Sequence, residues 1–300
     1  MSCARVKVGR WHGCRFFPGP CAGYVALFTT LAPAGMVAFC VMACVLLFGK
    51  LSEKQWERMS HFLVVPLAVA VVGFIGSATH LGKPSNALYV LAGIGRSPLS
   101  NEVIASVTFF ALSGMSWYVG FSRQRWAQRL VRPGMLLACA AGAWQVWEIA
   151  NAYTIRTIST WSTPSVQANL VLAALMGGAL LAICSLSLSG YRTPRRLFGA
   201  LLAIAGVSAA AAAVSQSLQF AELGAMRNVM TLARDLAPWY PAGIAVSAIL
   251  AGCAIAVDAR GLRMRGSIDP VRACAACALM FAGVFTVRFA FYCLHMTVGF

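Results

Sequence analysis

Eight stretches of mostly apolar residues, roughly 24–48, 62–79, 102–121, 133–152, 167–188, 197–220, 239–257 and 272–295, follow one another with only short connectors between them. Crossing ~30 Å of hydrocarbon at 1.5 Å per residue takes ~20 such residues as an α-helix. A soluble protein could bury one or two runs of this kind, but it would need polar residues to cover the rest. This sequence lacks them: 60% of its 300 residues are hydrophobic and 11% are charged, against about 25% charged in an ordinary soluble domain. The expected fold is therefore an all-α integral membrane protein, a bundle of eight transmembrane helices. Residues 24–300 would form that single domain, preceded by a basic amino-terminal tail, 1–23.

The tail carries Arg5, Lys7, Arg10 and Arg15 ahead of an apolar run, which superficially resembles a signal peptide. The run from Tyr24 to Phe48 is too long for a signal h-region, so it reads as the first span. Local signals mark other ends. Pro133 suits a first helical position, and Gly82 with Pro84 after His80 is a stop.

The net charge of +16 raises the question of nucleic acid, whose binders gather basic residues on one polar face. Here Lys and Arg sit in short clusters between apolar runs, so no nucleic-acid partner is expected. Fourteen fall in or beside connectors 1–2, 3–4, 5–6 and 7–8, and five in connectors 2–3, 4–5 and 6–7. By the positive-inside rule the first set faces the cytoplasm and both termini lie outside, although the four charges of the tail oppose this. Of eleven cysteines, eight lie within apolar runs, where the side chain acts as a small hydrophobe. Cys274 and Cys277 have redox spacing, but they sit in a helix-like stretch. No metal site is expected.

Ionisable groups within or at the ends of spans cost at least a few kcal/mol unless paired or hydrated. His80 closes the second span, Glu102 opens the third, Glu148 and Asn151 end the fourth, and Arg288 and His295 lie near the end of the eighth. Alternating helix direction carries all six toward the face with fewer loop charges, and nothing comparable is expected on the other. Bland readings exist for each. Glu102 in a first turn would complement the helix dipole, His80 could reach to water, and Arg288 could pair with Glu148 or Glu102. Trp117, Trp144, Trp147, Trp161 and Trp239 read mainly as an aromatic belt.

A histidine, a carboxylate, a cation and aromatics at the lipid–water boundary suit an amphipathic redox molecule whose head group exchanges protons. An imidazole can accept a proton from a quinol hydroxyl and a carboxylate can pass it to water. A transporter is the competing reading, but its polar groups would more often lie on broken helices at the midplane. Haem needs two axial ligands, commonly His. With four His in the sequence, only His80 and His295 could pair on one side, so no haem is expected.

Several patches together resemble the dimethyl sulfoxide reductase membrane-anchor (DmsC) family. They are His80-Leu81-Gly82-Lys83-Pro84, Ser97-Pro98-Leu99-Ser100-Asn101-Glu102, Tyr153-Thr154 with Thr160-Trp161, and the closing run from Arg288 to Gly299. The resemblance implies a haem-free subunit of the bacterial inner membrane that binds menaquinol and passes its electrons to an iron–sulfur subunit. That partner would feed a catalytic subunit holding a molybdopterin-bound molybdenum cofactor. The family ties its matching histidine and acid to quinol oxidation, which here implies His80 and Glu102. Lys83, Arg156, Trp161, Arg288 and His295 would line the quinol pocket or meet the partner. The acceptor stays open among dimethyl sulfoxide, other S- or N-oxides and oxyanions. A purely structural tether is a third reading.

Overall fold

The structure is a computed structural model that describes residues 20–78, 84–122, 124–228, 232–265 and 269–296. Apart from one isolated bridge between Arg227 and Leu232, the regular structure of these residues is helical. In sequence order the helices are α1 (Pro20–Phe48), α2 (Glu53–Phe62), α3 (Val64–Ala78), α4 (Pro98–Val119), α5 (Arg125–Ala152), α6 (Pro164–Leu188), α7 (Arg195–Glu222), α8 (Ala233–Leu236), α9 (Tyr240–Arg265) and α10 (Pro270–Cys293). Short 3-10 turns cover Pro84–Gly93 and Ser159–Trp161.

Local chemistry sets several boundaries. Proline occupies the first turn of α4, α6 and α10, where its missing N–H costs nothing. Ser52 and Gln55 form a reciprocal capping box that starts α2 shortly after α1 ends. Gly190, at φ 70°, makes the left-handed turn that closes α6.

Seven helices are long and apolar enough to cross a membrane: α1, the α2–α3 pair, α4, α6, α7, α9 and α10. The expectation of eight is not met by this measure. The helix that falls short is α5, whose length suffices but whose sequence includes Arg129, Arg132, Gln145, Glu148 and Asn151. Boundaries also move. The helix of α5 starts at Arg125, so Pro133 lies inside it rather than at its start. Membrane helices tolerate such prolines because neighbours re-satisfy the freed backbone groups. Helix α1 begins at Pro20, within the range read as tail.

Packing centres on α1 and α6. Helix α1 lies against α3, α5, α6 and α10, while α4 pairs with α5 and α9 with α10. In α6 78% of the most apolar window is buried, against 28% in α7, so α6 is enclosed and α7 faces outward. Large side chains such as Val207, Val214, Leu218 and Ile249 stand exposed on the outer helices, as a lipid-facing surface requires. The buried interior is apolar and continuous except where two seams of polar side chains run through it.

Candidate functional site

The first seam starts at Glu102. Pro98 opens α4, so Glu102 sits in the second turn, and the expectation of a first-turn carboxylate complementing the dipole is corrected. The side chain is 2% exposed. Its backbone carbonyl accepts from Ser106 Oγ at 2.8 Å, and Ser106 Oγ in turn accepts from Gln145 Nε2 of α5. Glu102 Oε2 has no hydrogen-bond partner among the described residues. The connector before α4 is pinned over this end by a bond from Gly95 N to Asn101 Oδ1 (2.7 Å).

Tyr292 of α10 is the hub beside it. Its hydroxyl donates to Thr29 Oγ1 of α1 at 3.2 Å. Its ring meets Tyr153 and Trp161 edge-on, with centroids 5.5 Å and 5.4 Å away. Trp161 also stacks on Phe291 (5.4 Å) and meets His295 edge-on (5.2 Å). Glu102 lies within electrostatic reach of both Tyr153 and Tyr292, and Arg288 within reach of Tyr292 and Tyr240. One helical turn separates Arg288 from Tyr292, which puts both on one face of α10.

Arg288 belongs to the second seam. It is 3% exposed and lines a cavity of about 10 Å³ with Asn169, Gln216, Gln219 and Tyr240, the room of one water molecule. Gln219 Oε1 accepts from Asn169 Nδ2 (2.9 Å) and from Tyr240 OH (3.4 Å). Replacing Gln219 with Leu should lower the melting temperature measurably. It strands both donors in the interior, at about 1–3 kcal/mol for each group left unsatisfied; an unchanged thermal unfolding curve would show the pair to be dispensable.

The expected site residues therefore divide. Glu102, Trp161, Arg288 and His295 surround the Phe291–Tyr292 cluster, although His295 itself is exposed. Arg156 is exposed, on the connector between α5 and α6. His80 and Lys83 lie outside the described residues. Trp161 is 8% exposed, so it is a packed interior residue and the belt reading fails for it, while Trp144, Trp147 and Trp239 are exposed as a belt requires. The alternative that Arg288 pairs with Glu148 also fails: Arg288 Nη2 has no partner among the described residues, and Glu148 Oε1 accepts from Trp144 Nε1.

Tyr292 falls within the closing run that carries the resemblance, and residues that the sequence did not single out complete the surroundings: Thr29, Ser106 and Gln145. Each is an ordinary polar residue in an apolar run, and only burial marks it. The far end of the bundle also holds a buried acid. Asp258 in α9 is 0% exposed and both its carboxyl oxygens are without partners among the described residues, so the expectation of nothing comparable on that side is corrected.

Among the buried polar atoms without partners among the described residues are the acceptor Glu102 Oε2 and the donors Trp161 Nε1 and Arg288 Nη2. Such orphans are costly in an interior.

Known proteins resemble this one over nearly its whole length. It is 30% identical over 279 residues to the C subunit of anaerobic dimethyl sulfoxide reductase from Escherichia coli, covering 91% of this protein and 94% of that one. It is 27% identical over 278 residues to the anaerobic dimethyl sulfoxide reductase subunit YnfH of the same organism, covering 92% and 95%. It is 28% identical over 275 residues to the C subunit of the Haemophilus influenzae reductase, again covering 92% and 95%. The family model described as DMSO reductase anchor subunit (DmsC) matches residues 23–294, and the protein belongs to that family.

Proposed function

We propose that this protein is the quinol-oxidising membrane anchor of a dimethyl sulfoxide reductase-type respiratory complex in the bacterial inner membrane. The observation that supports the reading is that Glu102 Oε2, Trp161 Nε1 and Arg288 Nη2 are buried without partners among the described residues, with Trp161 edge-on to the Tyr292 ring. Glu102 accepts a hydrogen bond from one quinol hydroxyl. Trp161 and Arg288 donate to an oxygen of the ring, and the aromatic wall excludes water. Menaquinol is the species that the family resemblance favours.

Oxidation breaks two O–H bonds. His80, two positions past the end of α3, takes one proton, and Glu102 takes the other and relays it outward. The two electrons leave to the iron–sulfur clusters of a partner subunit and from there to a molybdopterin catalytic subunit, so the anchor needs no haem. The iron–sulfur subunit docks over the connectors 84–97 and 153–163, where Arg156 is exposed. Helix α5 serves as the eighth span, with its buried Gln145 turned to Ser106 of α4 rather than to lipid. Both termini are then periplasmic.

The test is purification from membranes grown under anaerobic, S-oxide-supplied conditions. The anchor should bring two larger soluble subunits with it, and the complex should bind a quinone-head-group analogue. An anchor that purifies alone and moves a solute would establish the transporter. A complex that assembles but binds no analogue would establish a tether without redox chemistry.

A further inference from the structure

A large cavity lies away from this site. A groove of about 1030 Å³ runs between α1, α5, α6 and α7, and no residue of α4 or α10 lines it. Along α1 it extends from Met36 to Phe48, about 18 Å at 1.5 Å per residue. That is close to one leaflet of hydrocarbon, roughly half of ~30 Å. Its walls are apolar, with Val41, Val146, Val171, Leu175 and Leu201 among them, and Phe48 and Ala200 at its edge are exposed. A groove of this size matches the upper range for small-molecule sites.

One end is different. Lys50 closes the groove, and Tyr191 is shared with a second pocket of about 160 Å³ lined by Lys54, Gln55, Arg58, Ser189 and Gly190. Lys54 and Arg58 are one turn apart on α2, whereas the carboxylates of Glu53 and Glu57 do not line the pocket. Gly190 has φ 70°, and a Cβ there would come within 3.1 Å of the Arg58 guanidinium. The left-handed turn after α6 favours glycine by its positive φ, and the missing side chain lets Arg58 lie against the backbone. By the bias in loop charge this end faces the cytoplasm.

We propose that this composite groove binds one anionic phospholipid of the cytoplasmic leaflet. Its acyl chains would lie along α1 and its phosphate would meet Lys50, Lys54 and Arg58. The charge selects the occupant: three cations at the mouth match a phosphate diester, and a one-leaflet apolar trough matches acyl chains. An isoprenoid quinone would leave those cations unmatched. The inference stands independently of the quinol reading.

The experiment is native mass spectrometry of the purified complex, titrated with phosphatidylglycerol and with phosphatidylcholine. Wild-type complex should retain phosphatidylglycerol well above the zwitterionic lipid. Each basic residue near an anionic head group contributes roughly a fivefold effect, so the double variant Lys54→Gln with Arg58→Gln should bind at least tenfold more weakly. Ala200→Trp, which fills the groove from its lipid-facing edge, should expel the lipid with the basic end intact. Quinol-driven turnover should survive in the Lys54/Arg58 variant. Equal binding of the two lipids, unchanged affinity in the double variant, or a prenylquinone recovered from the groove would each overturn the proposal.

Discussion

Replacing Glu102 with Gln should reduce quinol-driven turnover by about 10²- to 10⁴-fold, the range over which a positioned general base contributes, while the complex still assembles. Gln keeps the shape and can still hold a hydroxyl, but it cannot take the proton. Glu102 Oε2 has no protein partner among the described residues, so the exchange strands no described neighbour at that oxygen and should cost little stability. An artificial donor that delivers electrons straight to the iron–sulfur subunit should drive the variant at the wild-type rate. Asp at this position keeps the acid but draws it back by one methylene, and should restore part of the rate. Full quinol turnover in Glu102→Gln would remove the carboxyl from the mechanism.

The second large effect concerns assembly. Gly35→Leu should prevent the subunit from accumulating in the membrane. A Cβ at Gly35 would fall 2.6 Å from the Pro66 carbonyl oxygen and 2.8 Å from Ala70 Cβ and N, and one at Gly73 would fall 2.6 Å from Ala32 N. The two glycines face each other's helices and let α1 and α3 approach backbone to backbone, the way membrane helices associate without a hydrophobic drive between them. The obstructing atoms at both positions include backbone, which cannot swing aside. Even a single extra methyl should cost on the order of 1–3 kcal/mol, and Leu more. Because α1 also carries Thr29, the partner of Tyr292, the site would be disturbed with the interface. Gly252→Leu is the control, since a Cβ there meets nothing within 4 Å and the position is exposed. Comparing extractable complex and thermal stability for the two variants checks this; equal yields would show that the α1–α3 contact is not tight.

The spans were legible because twenty apolar residues leave a helix little alternative in lipid. What each helix faces was not. An amphipathic soluble helix shows its buried side by polarity, but here lipid and interior are both apolar. Asn169 and Gln219, fifty positions apart, give no sequence sign that they bond, and Thr29 shows nothing of its role under Tyr292. Trp161 had the composition of a belt residue and proved to be packed between Phe291, Tyr292 and His295. Helix α5 failed as an apolar span for a related reason. Its Gln145 is wholly buried against Ser106, so part of the polarity that lowers its hydropathy is spent inside the bundle, while Arg129 and Arg132 are exposed. Glu102 and Arg288 were visible as charges in apolar runs, which is the signal that burial cost makes rare. Their convergence on one tyrosine required the fold.

The most direct measurement is photolabelling of the purified complex with a light-activated quinone carrying its reactive group on the head ring. If the quinol ring meets Glu102 beside Tyr292, label should appear in the first turns of α4, between Tyr153 and Trp161, and between Arg288 and Met296. It should fall sharply in Trp161→Ala. Label confined to the groove residues 36–50 and 191–204, with none near Glu102, would contradict that placement.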